Sequence, residues 1–201
     1  MRLSQSGSEC TVTHMRPQSS ILSTAESRRP IVVSAALDEF SRGGLHGTTV
    51  AKIAHAAKIS PAYVFKLFPS KESLFVAALE SCFDEILRAL EHGADDSPDR
   101  TPEAILHTMG GAYAELIADR RLLMMQVHAQ SVADIHEIGR ALRSGLERIT
   151  NFAKKRSRGS NDEVQHFVAY GQLCHLLVAA RIDEYPAPWT AALSHGIRHP
   201  D

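Results

Sequence analysis

The sequence predicts an all-α fold on the basis of three observations. Apolar residues recur at intervals of three and four over most of the chain, which is the spacing of a helix that buries one face. No stretch alternates apolar and polar residues with the β-branched enrichment that strands show. Ser, Thr, Pro and Gly stand at the ends of the apolar segments, where such residues cap helices. We therefore expect a chain of helices, divided into an N-terminal and a C-terminal domain.

The bulk composition is that of a globular protein without overall charge bias. Of the 201 residues, 44% are hydrophobic and 22% are charged, and the formal net charge is −1. Binding to a polyanion would therefore need a local basic patch. The three cysteines are far apart and form no C-x-x-C pair, which favours a reducing compartment. No apolar run is long enough to cross a bilayer and no signal peptide is evident, so we expect a cytoplasmic protein without membrane contact.

The N-terminal segment is predicted to be a disordered arm followed by the first helix. Residues 1–26 are rich in Ser, Thr and Gln and poor in large apolar residues, and Met15 offers a second translation start. The first helix is predicted over residues 28–42, with Pro30 in its first turn, where a missing N–H costs nothing. The Gly43–Gly44 pair is expected to end this helix.

Two short helices are predicted next, over residues 48–58 and 60–68. The Thr48–Thr49 pair can cap the first of them, and Ser60 can cap the second. Pro61 then occupies the first helical position of the second helix. By spacing, the residues of this helix expected to point inward are Val64, Phe65 and Phe68.

A fourth helix, over residues 70–91 and capped by Ser70, is predicted to lead into a linker. The linker is the acidic segment 92–102, which carries Gly and two prolines. It places a domain boundary between residues 27–91 and residues 101–201. The helices predicted beyond it are 102–118, 120–128, 132–153, 162–182 and 189–197, with a basic polar loop at 154–162.

Two short helices, joined by a tight turn and held by a preceding helix, are typical of a helix-turn-helix. From residue 42 to residue 71 there are five Lys or Arg and no Asp or Glu, so this segment is locally basic. The second short helix is small enough for a major groove about 12 Å wide, and helix N-termini suit phosphate oxygens. The residues predicted to contact DNA are Thr48, Thr49, Lys52, Ser60, Pro61, Ala62, Tyr63, Lys66 and Lys71.

The span from about residue 28 to 79 resembles the DNA-binding domain of the TetR family of transcriptional regulators. The resemblance lies in "AALDEF", in "TTVAKIA", in Ser60 and in "FPSKESLF", with no gap between them. It implies a homodimer that binds a palindromic operator and most often represses transcription. It also implies a C-terminal domain that binds a small ligand and thereby changes the separation of the two recognition helices.

Three positions depart from the family pattern and leave an alternative function open. Lys58 stands where the family usually has Gly in a left-handed turn, and Phe65 where it usually has a Tyr that reaches a phosphate. Leu67 stands where the family often has His. The alternative is a helical dimer that binds a ligand or another protein and has impaired DNA binding. No G-x-S-x-G, P-loop or dinucleotide fingerprint is present, so we expect no enzyme.

The C-terminal half offers candidates for dimerisation and ligand binding. Helix 162–182 is apolar over most of its circumference, so it predicts either the central core helix of a monomer or, with the C-terminal segment, a homodimer interface. A Met-rich stripe and its neighbours predict either core or a ligand pocket. The candidate ligand-binding residues are Met109, Tyr113, Met124, Met125, His128, Phe152, Phe167, Tyr170 and Cys174.

No cofactor or metal is expected. His195 and His199 have the i,i+4 spacing of metal-binding helices, but the sequence offers no third ligand beside them.

Overall fold

The computed structural model describes residues 19–196, and all regular structure in that range is helical. This confirms the predicted all-α class. The helices are α1 Ser19–Gly47, α2 Val50–Ala56, α3 Pro61–Leu67, α4 Lys71–Asp95, α5 Pro102–Ile117, α6 Arg120–Ser131, α7 His136–Ser157, α8 Asn161–Ala179 and α9 Pro188–Leu193, with a short 3-10 turn at Ile182–Glu184.

Helix α1 begins earlier than predicted. It starts at Ser19 instead of residue 28, so Pro30 lies inside it. The added turns, residues 19–27, contain only two large apolar residues, Ile21 and Leu22, which gave the sequence pattern little signal for a helix. The rest of the predicted arm, residues 1–18, lies outside the described residues.

The glycine pair interrupts α1, as the sequence predicted, but one more turn follows. Gly44 has φ 62° and ψ −172°, which is not a helical conformation. The chain then turns once more to Gly47 before α2 begins. Glycine is suited to this position because a side chain would disfavour a positive φ.

The predicted caps of the next three helices are confirmed. The side chain of Thr49 accepts a hydrogen bond from the backbone N–H of Lys52, and that of Ser60 accepts one from Tyr63 at 3.2 Å. Ser70 and Ser73 form a reciprocal capping box at the start of α4. The boundaries of α2 and α3 therefore lie within two residues of the prediction.

Helix α4 is longer than predicted, and the linker is correspondingly shorter. The helix continues to Asp95, so the connection to α5 spans residues 96–101 only. Thr101 caps α5, and Pro102 occupies its first turn.

Helix α7 absorbs most of the predicted basic loop. It ends at Ser157, so only residues 158–160 connect it to α8. Lys and Arg are good helix formers, and their charges stabilise the last turn of a helix. A basic run is therefore compatible with a helix end as well as with a loop, and the prediction of a loop over 154–162 was wrong.

One hydrophobic core extends through both halves of the chain. It includes Val32 on α1, Phe75 and Ile86 on α4, and Cys174 on α8. The rings of Phe40 and Phe75 meet edge-to-face with centroids 4.9 Å apart. Because α4 contributes to this core along most of its length, it joins the two predicted domains.

The cysteines and hydrophobic segments fit a helical core. Cys82 and Cys174 are buried free thiols, as predicted, and Cys10 lies outside the described residues. Burial raises the pKa of both thiols.

Within residues 19–196, no helix is long and apolar enough to span a membrane.

Candidate nucleic-acid interface

Helices α2 and α3 are joined by a tight turn whose conformation depends on Lys58. Lys58 has φ 56°, a left-handed conformation that glycine adopts most easily. The position is the one where the TetR family usually has Gly in a left-handed turn, and Lys58 keeps that conformation. A side chain there costs about 1 kcal/mol, and Lys58 is exposed in the turn that precedes α3.

Helix α3 has a buried side and an exposed side. Val64 and Phe68, each 1% exposed, point into the core as predicted. Phe65 does not: its side chain is 50% exposed, so the predicted inward orientation was wrong. Val64 and Phe68 are four residues apart and define the buried line, and each residue turns the helix by about 100°. Phe65, one position after Val64, is therefore directed outward.

The exposed side of α3 consists of small, aromatic and cationic residues. The exposed members are Pro61, Ala62, Phe65 and Lys66, and Ser60 is exposed just before them. Tyr63 is half-buried at the edge of this face, and the Lys66 ammonium lies 6.0 Å from the centroid of its ring. Four predicted contact residues, Pro61, Ala62, Lys66 and Ser60, are therefore accessible, and Phe65 joins them. We call these five residues the α3 face.

Thr48 has a structural role and does not present its side chain to DNA. It is 2% exposed, and its hydroxyl donates a hydrogen bond to the carbonyl of Glu39 at 3.0 Å. Its own carbonyl accepts a hydrogen bond from the Lys71 ammonium at 3.3 Å. The Thr48 side chain, predicted to contact DNA, is therefore buried, and Thr48 connects α1 to α4 through these two hydrogen bonds. Lys71 is half-buried, and its charge lies at the N-terminus of α4.

Arg29 holds the C-terminal end of α3 against α1. Its guanidinium donates a hydrogen bond to the carbonyl of Leu67 at 2.9 Å and lies 4.2 Å from the centroid of the Phe68 ring. Sequence reasoning missed this residue because it lies before the apolar part of α1. The contact orients α3 and leaves the α3 face free.

The surface around α3 is positively charged. Lys52, Lys58 and Lys66 are exposed, and their ammonium groups have no ion-pair partner among the described residues. Arg42 is paired with Glu39 at 2.9 Å, yet its side chain remains 69% exposed. Unpaired cations beside an exposed short helix are what phosphate contacts on both sides of a groove require.

Two contacts from α6 attach the helix-turn-helix to the C-terminal half. The Arg121 guanidinium bonds the Asp38 carboxylate on α1 at 2.6 Å. The imidazole of His128 lies on the interruption in α1, since a Cβ added to Gly44 would be 2.9 Å from His128 Nδ1. His128, predicted as a ligand residue, is therefore located at the joint between the two halves.

The other candidate ligand residues are divided among several environments. Met109, Tyr113, Met125 and Cys174 are buried, and Met124, Phe152 and Phe167 are half-buried. Tyr170 is 55% exposed on α8, so it does not line an interior pocket of the monomer.

A chain of three polar side chains crosses the interior between α5, α6 and α8. The amide Nε2 of Gln126 donates to the carbonyl of Leu122 at 3.3 Å and to the hydroxyl of Tyr113 at 3.2 Å. The Tyr113 oxygen lies 2.6 Å from His175 Nε2. Because Tyr113 accepts from Gln126, its proton is free to be donated to His175 Nε2. The other ring nitrogen of His175, Nδ1, then carries the proton.

His175 is held neutral by its surroundings. It is 4% exposed, and burial lowers the pKa of its imidazole from 6.5 to about 4. Its Nδ1 is buried and has no hydrogen-bond partner in the described part of the chain. Sequence reasoning missed Gln126 and His175. Their signal was a polar residue at a core position of an otherwise apolar helix.

A row of apolar residues, three exposed and one half-buried, runs along α8 and ends at the residue that follows it. Ala169, Leu173, Leu176 and Ala180 recur at intervals of four, three and four residues, and Leu176 is 54% exposed. Two aromatic residues that follow the helix are also exposed, Tyr185 at 61% and Trp189 at 57%. We call Ala169, Leu173, Leu176 and Ala180 the α8 stripe. An apolar row of this length on a surface is typical of an interface.

No metal site is formed by the described residues. They contain no group of three His, Cys, Asp or Glu side chains arranged to hold an ion. His195 is among them, and its predicted companion His199 lies outside the described residues.

Comparison with known families identifies the helix-turn-helix region. Residues 32–78 match the family model described as bacterial regulatory proteins of the tetR family. The HTH-type transcriptional regulator RutR of Escherichia coli K12 is 39% identical over 70 residues, which are 35% of this chain and 33% of the relative. The matched stretch thus spans about a third of the length of the curated relatives. The resemblance predicted from the sequence is confirmed for this part of the chain.

Comparison with solved structures extends over most of the chain. A transcriptional regulator from Rhodococcus sp. Rha1 has a TM-score of 0.66 at 17% identity, covering 82% of this chain and 90% of the other. The regulator FadR from Bacillus subtilis, in complex with stearoyl-CoA, has a TM-score of 0.63 at 15% identity and covers 84% and 99%. At such identities the likeness concerns the fold, and it agrees with an N-terminal helix-turn-helix followed by a helical C-terminal half.

Proposed function

We propose that this chain, whose N-terminal region is a tetR-family DNA-binding domain, is a ligand-responsive transcriptional regulator that acts as a homodimeric repressor. The observation that carries the proposal is the α3 face. It is the exposed side of a short helix, it includes the unpaired Lys66, and Val64 and Phe68 anchor the helix to the core. Two further unpaired cations, Lys52 and Lys58, lie on the preceding helix and turn.

The α3 face would enter the major groove. Ala62 allows close approach, and Phe65 can contact a thymine methyl group. Lys66 and Lys52 would neutralise phosphates on the two sides of the groove, and the capped N-terminus at Thr49 would approach a phosphate oxygen. Phosphate contacts would fix the register of the protein, and the α3 face would read the bases.

The α8 stripe supports a homodimer. One short helix makes few base contacts, so a two-fold dimer that reads two half-sites is the usual solution. The stripe offers an apolar surface that a second copy would cover, and Trp189, exposed in the C-terminal segment, is a candidate for the same interface. Two α3 faces related by a two-fold axis would then bind a palindromic operator.

The interior of the C-terminal half would bind the effector. Tyr113, Gln126 and His175 provide polar groups among apolar side chains, which is the usual composition of a ligand site. The structural neighbour from Bacillus subtilis was solved with stearoyl-CoA. Helix α6 carries Gln126 on one side and Arg121 on another, so a ligand that moves α6 would also move α1.

The test is selection of bound duplexes from a random pool at two salt concentrations. We expect enrichment of a palindrome and a steep, linear loss of affinity with the logarithm of salt concentration. Lys66→Gln should weaken binding, whereas the matched change Lys154→Gln on α7 should not. If the folded protein enriches no sequence, the alternative function holds, namely a helical ligand-binding or protein-interaction module with impaired DNA binding.

A further inference from the structure

A cleft between the C-terminal ends of α4 and α7 is lined by an excess of cationic side chains. Its volume is about 550 Å³. Four of its lining residues are cationic, namely Arg100, Lys155, Arg156 and Arg158, and one, Glu91, is acidic. Of the residues that the sequence suggested for ligand binding, it includes Phe152.

Three of the four cations have no ion-pair partner. Arg156 is neutralised by an ion pair with Asp95 at the end of α4. The side chains of Arg100, Lys155 and Arg158 have neither an ion pair nor a hydrogen bond within residues 19–196. The cleft therefore carries a net positive charge.

The floor of the cleft is apolar. Ile105 on α5 is 3% exposed, and Phe152 on α7 is half-buried. An apolar floor below a rim of cations suits a ligand that has both an apolar body and an anionic group. Apolar walls with a few charged groups are the usual composition of small-molecule sites.

Hydrogen bonds and close packing fix the wall of the cleft. Ser157, 1% exposed, donates to the carbonyl of Ala153 at 2.7 Å and accepts from the backbone N–H of Gly159 at 3.0 Å. The backbone of Gly159 lies against Leu106, since an added Cβ would be 3.4 Å from Leu106 Cδ1. Arg158, the cation on this loop, is thus carried by a fixed backbone, which lowers the entropy lost on binding a ligand.

The backbone at Arg158 points to a role for its side chain. Arg158 has φ 57°, the left-handed conformation that commonly ends a helix and that glycine adopts at least cost. A strained residue that persists at such a position is a reason to look for a function. Cations in a last helical turn also stabilise the helix dipole, but this does not explain Arg158 in place of glycine, nor Arg100 on the loop before α5.

We propose that this cleft binds a small organic anion. Arg100, Lys155 and Arg158 would hold a phosphate or carboxylate group, and Ile105 and Phe152 would contact an apolar body. The cleft is separate from the DNA-contacting surface, because Glu91 lies 20 residues along α4 from Lys71, about 30 Å. Only the ligand's role as an effector rests on the proposed function, and binding itself can be measured without DNA.

The first experiment is a fluorescence titration of the full chain with four probes. These are 1-naphthyl phosphate, 1-naphthoate, neutral 1-naphthol and, by competition, inorganic phosphate. We expect one of the two naphthyl anions to bind at least ~10-fold more tightly than 1-naphthol and than inorganic phosphate. The tighter anion identifies the head group. Equal binding of 1-naphthol, equal binding of inorganic phosphate, or no saturable binding of either anion would each overturn the proposal.

The second experiment compares neighbouring variants. Lys155→Gln should weaken binding of the preferred probe by about 5- to 10-fold. Lys154→Gln removes the same charge one residue away, where the ammonium bonds Asn161 outside the cleft, and should leave affinity unchanged. An equal loss of probe affinity in both variants would mean that the probe is held only by general electrostatic attraction, and it would contradict a defined site.

Arg158→Gly should change stability and probe binding in opposite directions. It should raise the Tm, because glycine relieves the left-handed conformation, and weaken binding of the probe by about 5- to 10-fold. Unchanged probe affinity would remove Arg158 from the site. Duplex binding by the same variants should stay unchanged, so the cleft and the proposed DNA binding can fail separately. Displacement of the probe by random duplex would show that the cations of the cleft bind DNA, and it would overturn the proposal.

Discussion

Phe65 and Val64 are neighbours on α3 with opposite surroundings. Phe65 is 50% exposed on the α3 face, and Val64 is 1% exposed in the core. Phe65→Ala should weaken specific DNA binding by roughly 1–3 kcal/mol and leave the Tm nearly unchanged. Val64→Ala should instead lower the free energy of unfolding by about 2 kcal/mol. Thermal melting and duplex titration of both variants separate the two effects, and a large fall in Tm for Phe65→Ala would place that residue in the core.

His175 should make stability depend on pH. Burial lowers the pKa of its imidazole from 6.5 to about 4, so the unfolded chain binds this proton more readily than the folded chain. The resulting stability is complete above pH 6.5 and is lost as the pH falls towards 4, by about 3 kcal/mol in total. Urea unfolding at pH 7 and pH 4.5 measures this loss.

A matched pair of variants on α8 assigns the pH dependence. His175→Gln should reduce the difference in unfolding free energy between the two pH values, because glutamine does not titrate. His166→Gln, an exposed position on the same helix, should leave that difference unchanged. The same dependence in both variants would mean that another group is responsible.

The turn between α2 and α3 carries strain that substitution can remove. Lys58 has φ 56°, so Lys58→Gly should increase the free energy of unfolding by about 1 kcal/mol. The control is Ala56→Gly, two residues earlier at an exposed helical position, which should decrease it by about 1 kcal/mol. Chemical denaturation of both variants measures the effects, and a loss of stability in Lys58→Gly would contradict the strain.

The helices were largely predictable because their starts depend on local chemistry. Thr49, Ser60 and Ser70 cap the helices that the sequence assigned to them, since a cap needs only its own side chain and the next turn. The orientation of Phe65 was not predictable from apolar character alone. Three apolar residues on a short helix define more than one possible buried line, and contacts with other helices decide between them.

The ends of α1 and α7 differ from the prediction for a related reason. The added turn of α7 is polar, so apolar periodicity gave no signal for it. The added turns of α1 contain only two large apolar residues, Ile21 and Leu22. The candidate DNA contacts were mostly placed on accessible positions, and Thr48 was the exception. Its hydroxyl bonds a carbonyl nine residues earlier, which no local pattern indicates.

At the scale of the whole molecule, α4 and α6 connect the two functional regions. Helix α4 begins at Lys71 beside the helix-turn-helix and ends at Asp95 beside the basic cleft. Helix α6 bonds α1 through Arg121 and the interior polar chain through Gln126. A ligand in the basic cleft would therefore act on α4, and a ligand beside the interior polar chain would act on α6. Both helices reach the helix-turn-helix region directly.

If the α8 stripe is the dimer interface, a variant that cannot dimerise through it should also lose DNA binding. Leu176→Arg places a charge in the middle of the stripe, where a second copy would have to bury it without a partner. We expect a folded monomer by light scattering, with unchanged helical content and greatly weakened binding to a two-half-site duplex. Asn151→Arg adds the same charge at an exposed position on α7 and should remain dimeric. A Leu176→Arg protein that is still dimeric would place the dimer interface elsewhere. A monomeric Leu176→Arg protein that binds the full operator as tightly as the parent would show that one α3 face is sufficient for DNA binding.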